Sequence, residues 1–219
     1  MNRRDTDELI DRLTRDRPLP GSILPAGWIT ISWYLLTIVY VTSCLLVFGP
    51  LRPGWTDQML AHPRFAVEFV AGFGASLLFA LAGFRLAIPG LPVRLVQFAG
   101  LFLLLVWLGS FLIGLGGYPA IEASMLGKRE SCVREALILS IPPLLVALFL
   151  IRRRFVLQPV RTAASLAGAT VIIPAALMQI SCMYDPVHIF THHVFPAVLV
   201  LAMVVFMVAV FPGIGVKSR

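Results

Sequence analysis

Long apolar stretches alternate along this chain with short breaks rich in proline, glycine and charge. Six such stretches run approximately over 27–49, 65–86, 95–116, 135–151, 162–181 and 192–212. Each is close to the roughly 20 residues that a helix needs to cross a hydrocarbon core. The fourth is short unless it begins nearer Cys132. The breaks include "GPLRPGW" at 49–55, "IPGLPVR" at 88–94 and "LQPVR" at 157–161. Proline donates no backbone hydrogen bond and steers the preceding residue away from helix, so these segments read as loops. The pattern predicts an all-α membrane protein: a bundle of six transmembrane helices over 26–214, a polar tail over 1–25 and a short C-terminus over 215–219.

Within the tail, residues 5–15 carry the marks of one short amphipathic helix. Asp5, Asp7 and Glu8 lie toward its start and Arg12, Arg15 and Arg17 toward its end, as the helix dipole favours. Glu8–Arg12 and Asp11–Arg15 are acid-to-base pairs at i,i+4, each contributing about 0.2–0.5 kcal/mol. Thr6, Leu9, Ile10 and Leu13 share a face, and Pro18 and Pro20 end the helix. So short a helix is marginal alone in water and needs a surface for Leu9, Ile10 and Leu13. A membrane-surface helix is normally basic on its polar face, whereas the acids and bases here balance. A groove on a cytoplasmic partner suits it better; an inert or self-docked tail is the plainer reading.

Composition agrees with the membrane reading. The 219 residues are 58% hydrophobic and 13% charged, about half the charged share of a soluble domain. The formal net charge of +7 follows from topology. With the N-terminus inside, 13 Lys and Arg face the cytoplasm and 5 the other side, with Arg152, Arg153 and Arg154 as the anchor. Both termini are then cytoplasmic. No basic, aromatic-interleaved segment is present, so direct nucleic-acid binding is not expected. The first 25 residues contain no apolar core of a cleavable signal. Close helix packing is expected at Gly72 and Ser76 and at Ala164 and Gly168, which have small-xxx-small spacing. Pro142, Pro143 and Pro174 are candidate kinks.

This topology collects the chemically distinctive residues on the outer side. Cys132 starts the fourth segment, Cys182 ends the fifth, and His62, His188, His192 and His193 are all outer or at the outer boundary. Asp185 joins them, and Glu68 lies at a similar level with Arg64 one turn away as its expected partner. Three chemistries use such a set. Cys132 and Cys182 can form a reversible disulfide in an oxidising compartment. Thiolates and imidazoles can capture a soft metal ion, with His188 and His192 on one face at i,i+4. A Cys–His pair can act as a nucleophile, yet no catalytic signature frames it, and an enzyme is not expected. The plainer readings are polar residues leaving lipid, a static disulfide, inert packing for Cys44 and an interfacial ion pair for Glu68.

Several motifs together carry a resemblance: "DELIDRL" at 7–13, "HPRFAVE" at 62–68, "FRLAIPG" at 84–90, "SCVREALILSIPP" at 131–143 and "SCMYDPVHIFTHH" at 181–193. In order and spacing the chain resembles, end to end, the NrsF-like integral-membrane anti-sigma factors, negative regulators of a SigF-type extracytoplasmic-function (ECF) sigma factor. The resemblance implies a six-helix bacterial inner-membrane protein whose cytoplasmic tail holds the sigma factor. It also implies that Cys132 and Cys182 sense heavy-metal or oxidative stress. No permanent cofactor is implied, only a transient heavy-metal ion. Of the paired histidines, His192 is the one carried over, with His188, Asp185 and Glu68 as possible metal ligands or support. The alternative is a small six-helix transporter or metal-efflux protein with an outer entry site at the histidines and Glu68. No ionisable residue lies at mid-membrane in any segment, where a substrate path would need one.

Overall fold

The computed structural model describes residues 25–211 apart from positions 153 and 155. The tail helix, with Leu9, Ile10 and Leu13, and the C-terminal residues 215–219 lie outside the described residues. Among the described residues every regular element is helical. These are α1 (Ala26–Phe48), the short α2 (Trp55–Ala61), α3 (Pro63–Leu86), α4 (Arg94–Leu115), α5 (Cys132–Ile151), α6 (Pro159–Ser181) and α7 (Pro186–Val210). Six of them, all but α2, are long and apolar enough to cross a membrane. The fourth span does begin at Cys132, which gives it its length.

Helix α6 is the centre of the bundle. Its most apolar window is 94% buried, against 22–44% for the other spans, and α1, α3, α5 and α7 pack around it while α4 lies against α3. Small residues make this possible. Gly72 and Gly83 of α3 face α6 so closely that a Cβ on Gly83 would lie 2.6 Å from the Leu166 side chain. Ser76 donates a hydrogen bond to the Ala169 carbonyl at 2.7 Å, joining the same two helices at depth. Close backbone approach of this kind drives helix association in lipid, where burial of apolar surface contributes little. The second pair behaves differently. A Cβ added at Gly168 would meet nothing within 4 Å, and with Ala164 this glycine lines an apolar groove of about 310 Å³ between α4, α6 and α7.

Helix α1 is held by two hydrogen bonds at mid-depth, from Tyr34 to the Phe73 carbonyl at 2.7 Å and from Trp33 to the Pro143 carbonyl at 3.0 Å. Alongside the Trp33 bond α1 and α5 part around a cleft of about 660 Å³ lined by Trp28, Tyr40 and Pro142 among others. Large apolar side chains such as Leu36, Phe102, Phe149 and Phe206 point outward from the bundle, as a surface solvated by lipid tails requires.

The last span differs from expectation. Asp185 caps its start by accepting a hydrogen bond from the His188 amide at 2.8 Å, and Pro186 occupies the first turn. The helix therefore begins six residues earlier than the apolar run at 192. "SCMYDPVHIFTHH" is not an exposed loop: only 182–185 lie between helices, and Cys182, Met183, Tyr184, His188 and His193 are buried.

Candidate functional site

At the end of the bundle opposite Pro25 and Phe211, hereafter the distal end, three helix ends converge. Cys132 is the first residue of α5, Cys182 directly follows α6, and His188 and His193 lie in the opening turns of α7. The two thiols are 2.9 Å apart, and Cys182 Sγ lies 3.3 Å from His188 Nε2. One ligating atom from each of Cys132, Cys182, His188 and His193 falls within 4.8 Å of the others, and all four residues are buried. Cys132 and Cys182 are free thiols, as is the half-buried Cys44, which stays outside the group.

A wide, π-helical turn over Ile189–Val194 determines which histidine joins. In a regular α-helix, residues five apart point about 140° away from each other. An i→i+5 turn brings the fifth residue round to the same face, so His193 comes to lie beside His188, their rings edge to face at 5.2 Å. His192, favoured from i,i+4 spacing, is exposed; it stacks on the outside of His188 at 4.2 Å and pairs with the Thr191 hydroxyl. His193 is fully buried, and neither of its ring nitrogens has a hydrogen-bond partner among the described residues. The hydrogen bond with Cys132 holds the Cys182 thiol well below the usual thiol range; burial opposes this, and His188 and His193 reinforce it. A thiolate is the form that attacks oxidants and binds metals.

Asp185 is not among the ligating atoms and serves as the α7 cap. Glu68 is also separate. Its buried carboxylate accepts hydrogen bonds from the Ser110 hydroxyl and from Tyr184 Oη, the latter at 3.0 Å. Arg64 does not pair with it directly. The guanidinium donates instead to the Ser110 hydroxyl at 3.0 Å and to the Ser110 carbonyl, so the expected ion pair is replaced by a serine-bridged one. His62 is exposed between α2 and α3 and takes no part.

Sequence reasoning missed three residues around the thiols. Tyr184 bridges to Glu68 and also accepts from the Ala120 amide at 3.3 Å, while its carbonyl accepts from Ser124. It thereby fastens the 116–131 loop over the site. Burial, aided by the Glu68 charge, raises the Tyr184 hydroxyl above its ordinary value, so it remains a donor. Arg52 is buried with its guanidinium over the Phe65 and Tyr184 rings at 5.5 and 5.9 Å. None of its side-chain nitrogens has a hydrogen-bond partner among the described residues. Arg129, three residues before Cys132, gathers three helices. It donates to the carbonyls of Leu45, Gly49 and Pro50 at the end of α1 and of Ser181 at the end of α6, and it pairs with Glu135 at 3.2 Å. Arg52 stands in the proline-rich break "GPLRPGW" and Arg129 three residues before Cys132, but the rule for counting charges treats each as a solvated loop residue.

The arrangement brings two thiols and two imidazoles to one buried point where three helices meet. It can join the thiols in a disulfide or hold a thiophilic ion. A family model described as "Negative regulator of sigma F" (NrsF) matches residues 14–213. No curated protein matches, and no solved structure does.

Proposed function

The chain belongs to the NrsF family of negative regulators of sigma F, and on that premise we propose that it is an anti-sigma factor anchored in the bacterial inner membrane. The cytoplasmic tail, residues 1–25, holds an ECF sigma factor of the SigF type by burying Leu9, Ile10 and Leu13 in it. Cys132 and Cys182, on the periplasmic side, respond to heavy-metal or oxidative stress, and the response loosens the tail contact. The 13-to-5 division of basic residues supports this orientation.

The observation that carries the reading is the meeting of Cys132 and Cys182, fifty residues apart in sequence, at the converging ends of α5 and α6. Chemistry at these thiols bears directly on helix packing. Arg129 extends it to α1, the helix that leads to the tail: Cys132 Sγ lies 3.4 Å from the Arg129 carbonyl, and the guanidinium of the same residue grips the end of α1. Signal and output are then coupled sites on opposite faces of one bundle. A tenfold weakening of the tail contact needs about 1.4 kcal/mol of difference between the two bundle states.

The test is capture. Full-length chain in detergent retains the sigma factor, and a chain lacking residues 1–25 does not. Equal retention by both would place the contact elsewhere; no retention by the full-length chain would end the anti-sigma reading.

A further inference from the structure

We propose that Cys132, Cys182, His188 and His193 form a closed, four-coordinate site for a single divalent cation of the zinc and cadmium class. The proposal rests on the sensing role just assigned to the two cysteines and specifies what they take: one ion, with both imidazoles completing its shell.

Four features converge. Two thiols and two imidazoles are the donor set that thiophilic and borderline ions prefer. A tetrahedral site with metal–ligand bonds of about 2.0–2.3 Å places its ligand atoms roughly 3.3–3.8 Å apart. The four groups already lie within 4.8 Å of one another, so the thiols would part from 2.9 Å and the wider pairs draw in by no more than about 1 Å to reach that geometry. His193 supplies an independent observation: it is fully buried, faces the cluster and leaves both ring nitrogens without a hydrogen-bond partner among the described residues. A buried imidazole is costly in that state, and coordination through one nitrogen relieves much of the cost. The π-helical turn that puts His193 there is itself a departure from regular helix of the kind that recurs at functional sites.

Charge fits as well. A divalent ion with two thiolates and two neutral imidazoles is neutral overall, so the buried Arg52 guanidinium nearby meets no net positive charge. The thiol protons leave as the ion binds. All four protein ligands are buried, and a shell with no open position is that of a structural or sensing centre, not of a hydrolytic one. His192, exposed and stacked on His188, lies outside the shell. Because the ligands come from the ends of α5, α6 and α7, occupancy fixes the relative placement of all three.

Purified full-length chain in detergent, with its thiols reduced, is titrated with Co²⁺ as a spectroscopic probe and then with Zn²⁺ or Cd²⁺ in competition. The expected result is one ion per chain, with the ligand-field absorption of a tetrahedral S₂N₂ cobalt centre. His193→Ala should lower affinity at least about 100-fold, at or beyond the 10–100-fold that loss of an outer-shell partner causes. His192→Ala should bind as the unaltered chain does. His193→Cys, a ligand replacement that guards against misfolding of the alanine variant, should keep one ion and show stronger thiolate-to-cobalt absorption. Absence of a bound ion in the reduced chain, or equal loss from His192→Ala and His193→Ala, would overturn the proposal. So would a His193→Cys spectrum without added thiolate character. Sigma-factor capture is measured on the same preparations. Ion binding without capture contradicts the anti-sigma reading alone, and capture without ion binding contradicts this site alone.

Discussion

At the scale of single residues, the distal end is organised by polar groups buried with few alternatives. Tyr184 is the clearest case: fully buried, it donates to Glu68, accepts from the 116–131 loop and lies two residues from Cys182. Tyr184→Phe leaves the Glu68 carboxylate short of a donor in a buried site, a loss of about 1–3 kcal/mol. Thermal unfolding in detergent should show a clearly lowered midpoint, while Tyr118→Phe at an exposed position should show none. An unchanged midpoint for Tyr184→Phe would mean that Glu68 is satisfied by other means. These contacts were beyond reach from sequence because Glu68 and Tyr184 are separated by 116 positions. The nearer cation, Arg64, drew the expected pairing, and only the placement of Ser110 between them shows why it fails.

At the scale of elements, the spans were legible because lipid imposes a length and a composition on each helix. The start of α7 was not. His188 and Thr191 interrupt the apolar pattern, and hydropathy alone starts the last span only at 192, with His192 and His193 at its very edge. The bundle instead buries His188 and His193 among helix ends, and Asp185 with Pro186 supplies a start signal that apolar counting passes over. A period of 3.6 pairs His188 with His192; only the wide turn, which nothing in one sequence specifies, selects His193. Packing between α3 and α6 was read more fully, since small residues at fixed spacing are visible in the sequence. Its consequence is measurable. Gly83→Val must displace Leu166 and the α6 backbone, with Leu166 atoms at 2.6 and 3.2 Å from the first added carbon, an overpacking cost of about 1–3 kcal/mol. Gly109→Val, at a position where an added Cβ meets nothing within 4 Å, should leave the unfolding midpoint nearly unchanged. Equal tolerance at the two positions would show that α3 and α6 are not locked at this crossing.

At the scale of the whole molecule, the proposed sensor and the proposed output lie at opposite ends of a bundle built around α6. Helix α1 is suited to link them. Its distal end is held by Arg129, its middle by Tyr34 and Trp33, and its proximal half borders the cleft against α5. On the proposed reading, a shift at Cys132 reaches α1 through Arg129. Arg129→Lys keeps the charge but not the branched, multi-carbonyl grip, and should leave ion binding intact while blunting the response. The most direct measurement is the affinity of the sigma factor for the full-length chain in lipid nanodiscs, with the Cys132–Cys182 site reduced and metal-free and again after Cd²⁺ or mild oxidant is added. Tight capture is expected in the first state and at least a tenfold loss in the second, with no loss in a Cys132→Ser, Cys182→Ser chain that still captures. The same loss in the serine variant, or unchanged affinity in the unaltered chain, would contradict the proposed reading.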